Sequence, residues 1–354
     1  MSEAEDFTFE EVQLAARNHG MPLEALRYDI TPVGLHYLLI HFDIPLVDPA
    51  SWRLEIGGHV ARPFGVTLEE LKARPSVTMP VTMECAGNGR ARLDPRPESQ
   101  PWVLEAVGTA EWTGAALRPL MQEAGVEDGA VDVVFTGLDR GIDGDVEQDY
   151  ERAIPVQEAL RDDALLAYEI NGQPLPPQHG FPLRLVMPGW YGMTQVKWLS
   201  RITVVDGPFD GYQNAQAYRI KEDEDDPGTP VTRMAPRSLI SPPGIPEFMS
   251  RHRFVHPGLH TLEGRAWSGW GPIERVEVSV DGGDSWQRAI LGPALGPGAW
   301  HRWTWDWAAI APGDYELCCR AFDVVGNGQP VEQTWNYKGY SNNEVHRVQV
   351  TVRS

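Results

Sequence analysis

The sequence changes character abruptly near residue 221, and that change limits the folds open to it. Lys221 to Asp226 reads KEDEDD and is followed by Pro-Gly-Thr-Pro at 227–230 and by Ser241-Pro-Pro-Gly-Ile-Pro246. Like charges repel and prolines resist regular pairing, so residues 223–250 read as an acidic, proline-rich linker. Upstream, helix-like and strand-like segments alternate. Phe7 to His19 is a helix candidate with a poorly defined apolar face, and Leu68 to Ala73, Leu117 to Ala124 and Val156 to Leu160 are shorter ones behind capping or turn residues. Trp52 to Ile56, Val131 to Phe135 and Leu183 to Met187 read as strands, which predicts a mixed α+β domain over 1–222. Downstream, Thr261 to Trp267, Arg275 to Val280, Trp286 to Ile290, Trp300 to Trp305, Tyr315 to Phe322 and Glu344 to Val352 read as strands at fairly regular spacing. Asp281-Gly-Gly-Asp284 is a hairpin turn between two of them. This fits an immunoglobulin-like β-sandwich over 251–354, without a cysteine pair bridging its sheets.

Charge narrows the partners. The 354 residues carry 30 Lys and Arg against 50 Asp and Glu, a net charge of −20. Nucleic acid and anionic lipid would be repelled at long range, so an anionic ligand requires cations gathered locally. No stretch approaches the roughly 20 apolar residues of a membrane span, and MSEAEDFTFEEV has neither a basic nor an apolar leader region. The expectation is a soluble, cytoplasmic protein. Its three cysteines, Cys85 and the adjacent Cys318 and Cys319, give no disulfide framework.

Several motifs fail on their spacing. Asp139 to Glu151 has Gly141 at the third position of a calcium loop and Tyr150 at the twelfth, where a bidentate carboxylate is needed. The histidines show no zinc spacing with cysteine. Two regions remain. Val81-Thr-Met-Glu-Cys-Ala-Gly-Asn-Gly-Arg90 delivers Cys85 from a strand to a small, flexible turn where backbone can approach a ligand, with Arg90 placed to favour a thiolate. A buried, inert cysteine is the other reading of the same residues. Gln178-His-Gly-Phe-Pro-Leu-Arg184 and the segment to Trp198 set His179, Arg184 and Lys197 among glycines and aromatics, suited to a phosphate or equally to scattered surface cations.

Together these regions resemble the sulfite oxidase family of molybdenum enzymes. TMECAGNGR looks like the family's cysteine-bearing loop, AYEINGQPLPPQHGFPLRLVMPGWYGMTQVKW is similar to its signature almost residue for residue, and Trp335 to Asn343 with His346-Arg347-Val348 is similar to the end of its dimerisation domain. The resemblance implies that Cys85 ligates molybdenum held by molybdopterin. It also implies that His179 and Arg184 grip the pterin phosphate, with Gln195, Val196 and Lys197 adding contacts, and that Asp139 touches the pterin. Tyr37 to His41 would lie along the cofactor, Tyr218 beside the metal's oxo ligand, and Trp102 in the pocket lining. Residues 1–30 become an N-terminal extension. The implied chemistry is oxygen-atom transfer at a molybdenum-oxo centre by a homodimer that passes electrons to a separate acceptor.

Departures from the family pattern bear on the substrate. Sulfite-oxidising members carry an arginine-asparagine pair where this chain has Leu39 and Ile40. Arg17-Asn-His-Gly20 looks like the missing motif, but it precedes the ITPVG lead-in at Ile30 to Gly34 and reads as a decoy; entry into the pocket from that different position stays open. One loop arginine is kept as Arg90, another is replaced by Gly89, and a third is matched by Lys338. A small oxyanion or other sulfur compound is expected, with sulfite itself disfavoured. Two further readings stand beside this one: a sulfoxide or N-oxide reductase on the same scaffold, and a homologue that has lost the metal.

Overall fold

The computed structural model describes residues 7–353. Its first domain is built on two sheets. One has the order Phe64–Thr67, Arg53–Gly58, Leu199–Val205, Asp132–Asp143, Val146–Pro155, in which Arg53–Gly58 and Leu199–Val205 run parallel and the other pairs antiparallel. Alternation decides which face is inside: Leu54 and Ile56 point into the core while Arg53 and Glu55 face solvent. The other sheet joins Ser76–Glu84, Val107–Ala116, Leu165–Ile170 and Gln173–Pro174, with Arg184–Val186 also paired to Leu165–Ile170. Short helices Leu68–Lys72 and Leu117–Ala124 cover the core; the first starts with a Thr67–Glu70 capping box, and the second ends at Gly125 in the left-handed region at φ 69°.

The N-terminal helix is Phe9–Arg17, shorter than the expected Phe7 to His19. Its apolar face was poorly defined because the helix is held instead by an ion pair: buried Glu11 meets Arg96 and accepts from the Ser99 amide at 3.3 Å. The segment Asp139 to Glu151 is not a calcium loop but part of the hairpin of Asp132–Asp143 and Val146–Pro155, turning through Gly144 and Asp145 at positive φ.

The second domain is a sandwich of a four-stranded and a six-stranded sheet. The hairpin at Asp281 to Asp284 joins Ile273–Ser279 to Gln287–Arg288, with Gly282 and Gly283 at φ 74° and 102°. The expected strand Trp286 to Ile290 is split into Gln287–Arg288 and Ile290–Ala294, which belong to different sheets. The stretch read as a linker is largely part of the fold. Thr229–Pro230 pairs with Arg219–Ile220, and Arg237–Ile240 is a fully buried strand against Gly258–Trp267. The acidic run and residues 244–250 stay exposed, while prolines on either side do not prevent the Arg-Ser-Leu-Ile segment between them from pairing.

Candidate active site

Cys85 ends the strand Ser76–Glu84, and the turn after it is fixed from both domains. The buried carboxylate of Glu84 meets Arg237 Nε at 2.9 Å and accepts from Trp267 Nε1 at 2.8 Å and Asn88 Nδ2 at 3.0 Å. Asn88 in turn accepts the Ala106 amide at 3.1 Å. The C-terminal segment closes the loop: the Ser341 amide donates to the Ala86 carbonyl at 2.8 Å, and Asn342 Nδ2 to that of Gly89 at 2.9 Å. Gly89 has φ 95°, and a Cβ there would lie 3.0 Å from the Asn342 carbonyl oxygen, so this backbone resists an arginine at that position. Burial pushes the Cys85 thiol up, opposed by the Arg90 charge, the Gly87 amide and the nearby indole N–H of Trp102.

Two chambers meet at Cys85, His41, Leu39 and Tyr218. The inner one is narrow, with about 50 Å³ of free volume, and is lined by most of the residues expected to hold a cofactor: Tyr37, His41, Asp139, His179, Arg184, Gln195 and Lys197. Arg184 is held by the carbonyls of His179 and Gln195, both at 3.1 Å, and stacks over Trp112. Lys197 Nζ donates to the carbonyls of Leu39 at 2.8 Å and Gln178 at 3.2 Å. His179 is not a cation here. Burial, with His36, Arg184 and Lys197 around it, pushes it down to about 2, leaving a neutral ring. Burial likewise lowers Lys197 and raises Asp139, each opposed by the other's charge.

Two expected contacts are redirected. The Gln195 side chain binds the backbone of Met187 and Trp190, so it shapes the wall through the loop it holds. Val196 is in the hydrophobic core, not on the chamber. Three contributors were missed. His36 and Tyr150 line the inner chamber, and buried Arg152 lies under the Tyr218 ring and donates to the Gln213 carbonyl. Tyr150 and Arg152 lie two apart on one face of Val146–Pro155, in a stretch without apolar alternation to announce it; His36 simply precedes the segment singled out.

Tyr218 follows a π-helical turn, Gln213–Ala217, and its hydroxyl shares a 2.6 Å hydrogen bond with His41 Nε2. Such turns recur where a side chain must be re-aimed. Burial and nearby Tyr150 and Tyr340 raise the Tyr218 hydroxyl far above its usual value, and burial with cationic neighbours pushes His41 down to about 3. The outer chamber is wider, with about 390 Å³ of free volume, and is lined by Arg90, Trp102, Lys338 and also Arg17, the residue read as a decoy. Arg90 is oriented by the carbonyls of Lys338 at 2.9 Å and Gln100 at 3.0 Å.

A family model described as "Oxidoreductase molybdopterin binding domain" matches residues 41–213, and one described as "Mo-co oxidoreductase dimerisation domain" matches 230–353. The chain is 36% identical over 336 residues to sulfite oxidase of Gallus gallus, covering 90% of this chain and 72% of that protein. It belongs to the sulfite oxidase family of molybdenum enzymes. It is also 33% identical to nitrate reductase [NADH] 1 of Oryza sativa subsp. japonica, over 91% of this chain but only 38% of that longer protein. Among solved structures, sulfane dehydrogenase SoxCD of Paracoccus pantotrophus is similar with a TM-score of 0.81 and 28% identity, over 95% of this chain and 86% of that one.

Membership in this family makes the chain a molybdopterin-dependent oxidoreductase, and the inner chamber fits its cofactor chemically. Buried polar atoms on its lining without a protein partner include His36 Nε2, Asp139 Oδ1 and Arg184 Nε, a mixture of donors and acceptors suited to a ring system and its phosphate. Among the described residues no three His, Cys, Asp or Glu side chains converge as a metal site of their own. A metal held by a cofactor and one soft thiolate needs no such cluster.

Proposed function

We propose that this enzyme catalyses oxygen-atom transfer to a sulfur-centred substrate less charged than sulfite, as a cytoplasmic homodimer that gives its electrons to a separate acceptor. The observation that carries the reading is the meeting of a narrow chamber lined by polar and cationic side chains and a wider one at Cys85 and Tyr218. When bound, the molybdenum cofactor supplies a metal that exchanges an oxygen atom and electrons with substrate. The chain's own residues do the rest. Arg184 and Lys197 hold the anionic end of the cofactor with guanidinium and ammonium groups already oriented by backbone carbonyls. Tyr218 keeps its proton at neutral pH and, with neutral His41 donating to it from Nε2–H, presents its own O–H as a donor at the junction. The wall at Leu39 and Ile40 is apolar where a guanidinium would favour a dianion.

Names of the similar proteins, sulfite oxidase and sulfane dehydrogenase, support sulfur as the reacting element. The apolar wall also favours a second reading, reduction of a sulfoxide or N-oxide in the same chambers. Purified enzyme should contain about one molybdenum per chain, by the single-cysteine ligation above, and should reduce an artificial acceptor with organosulfur substrates. Stoichiometric absence of molybdenum, or efficient turnover at micromolar sulfite, would sink the reading. Oxidation of a reduced dye by sulfoxides would establish the reverse direction, and a sedimenting monomer of 39.4 kDa would refute the dimer.

A further inference from the structure

The approach to the outer chamber is built by the N-terminal segment. Helix Phe9–Arg17 stops because Asn18 adopts extended backbone, φ −118° and ψ 155°. Its Oδ1 accepts the Ile40 amide at 2.8 Å, and its Nδ2 donates to Gln100 Oε1 at 3.0 Å. His19 then forms an antiparallel bridge with Leu38, with N to O distances of 3.1 and 2.8 Å. That register sets Arg17 beside Ile40, and its side chain joins Arg90 and Lys338 on the chamber wall. Asn18 is buried and fully engaged, so the position of the exposed arginine next to it is set by more than helix fraying.

The composition of the wall defines a ligand. Arg17, Arg90 and Lys338 face Glu98 and Asp143, leaving one positive charge in excess, while Leu14, Leu39, Ile40, Phe42 and Ile142 supply apolar surface. A free volume of about 390 Å³ is more than a bare inorganic oxyanion fills and would leave it surrounded by water. A single charge with an apolar substituent uses both parts of the wall. We propose that the outer chamber binds an organic sulfur oxyanion carrying one negative charge and a short apolar group, and that Arg17 is the specificity-determining residue that holds the charge. This rests on the proposed function in taking the outer chamber as the substrate side.

The test uses inert probes, so it reads binding rather than turnover. Holoenzyme of measured molybdenum content is titrated by calorimetry with 1-butanesulfonate, sulfate and neutral diethyl sulfone. Butanesulfonate should bind about tenfold or more tighter than sulfate, and Arg17→Gln should weaken butanesulfonate about tenfold, the loss expected for one charged hydrogen bond. Arg17→Lys should retain most of the affinity, Glu98→Gln should increase it, and the sulfone should not respond to Arg17→Gln. Equal affinity for sulfate and butanesulfonate overturns the proposal. So does an Arg17→Gln variant of unchanged melting temperature that binds butanesulfonate as the parent does, or one that loses the sulfone equally. If the protein proves to lack molybdenum, the proposed function fails while the titration still reads Arg17, because none of the probes reacts with the metal.

Discussion

The two chambers that meet at Cys85 hold their cations in opposite ways. In the inner one, buried Arg184 and half-buried Lys197 are held against backbone carbonyls and aromatic faces before any ligand arrives. In the outer one, Arg17 and Lys338 are exposed, and only Arg90 is locked. Pre-organised charge loses little freedom on binding and suits a resident cofactor. Loosely held charge is weaker but easily altered, which suits the chamber proposed to take the substrate.

The largest expected effect lies at the junction. Cys85→Ser replaces the soft thiolate, and turnover should fall by more than about 100-fold, since even outer partners of a metal ligand are worth 10- to 100-fold. Metal analysis alongside dye-linked assay checks it; unchanged molybdenum content and rate would remove Cys85 from the site. Next is the buttress behind that cysteine. Arg237→Ala leaves the buried Glu84 carboxylate without its cation, an interaction whose loss costs about 3–5 kcal/mol. Chemical denaturation should show that loss, and a change under about 1 kcal/mol, the scale of a surface ion pair, would mean the sandwich domain does not brace the loop.

The inner chamber should also be the acid-sensitive half. Burial pushes His36 down to about 4, His41 and His346 to about 3, and His179 to about 2, and three of these four line that chamber. The unfolded chain takes up protons below about pH 6.5 that the folded chain refuses, so stability is complete above that pH and is lost as the pH falls toward 4. Each group contributes up to about 1.4 kcal/mol per pH unit in that window. Thermal midpoints of apoprotein between pH 7.5 and 5 should fall accordingly, and a flat profile would show that these histidines are not neutral in the fold.

Much of the inner chamber was legible because it is written in contiguous motifs: Cys85, His179, Arg184 and Lys197 all fall in two short segments that the fold brings face to face. What escaped was set by long-range packing. Arg237 lay in a stretch read as linker, yet its guanidinium crosses the domain boundary to Glu84, and no local pattern announces a strand four residues long between prolines. Arg17 was set aside because it sits ahead of the expected segment in sequence. A β-bridge between His19 and Leu38 removes that distance, and such pairing depends on register that neither strand specifies alone. Val196 was assigned by its neighbours in a matched motif, but its side chain packs into the hydrophobic core.

The smallest effect is the most informative about the comparison. Leu39 borders both chambers, and its carbonyl already accepts from Lys197 at 2.8 Å, so its backbone is fixed and only its side chain is free to vary. Leu39→Arg would add a fork-shaped cation at the junction without disturbing the inner grip. One added charged hydrogen bond is worth about 1.5–3 kcal/mol, so sulfite or sulfate should bind about tenfold tighter or more. Molybdenum content should stay unchanged, because Arg184 and Lys197 are untouched. If inorganic oxyanions gain nothing, charge at that wall is not what separates this chain from its sulfite-oxidising relatives, and the distinction must lie in the width of the outer chamber.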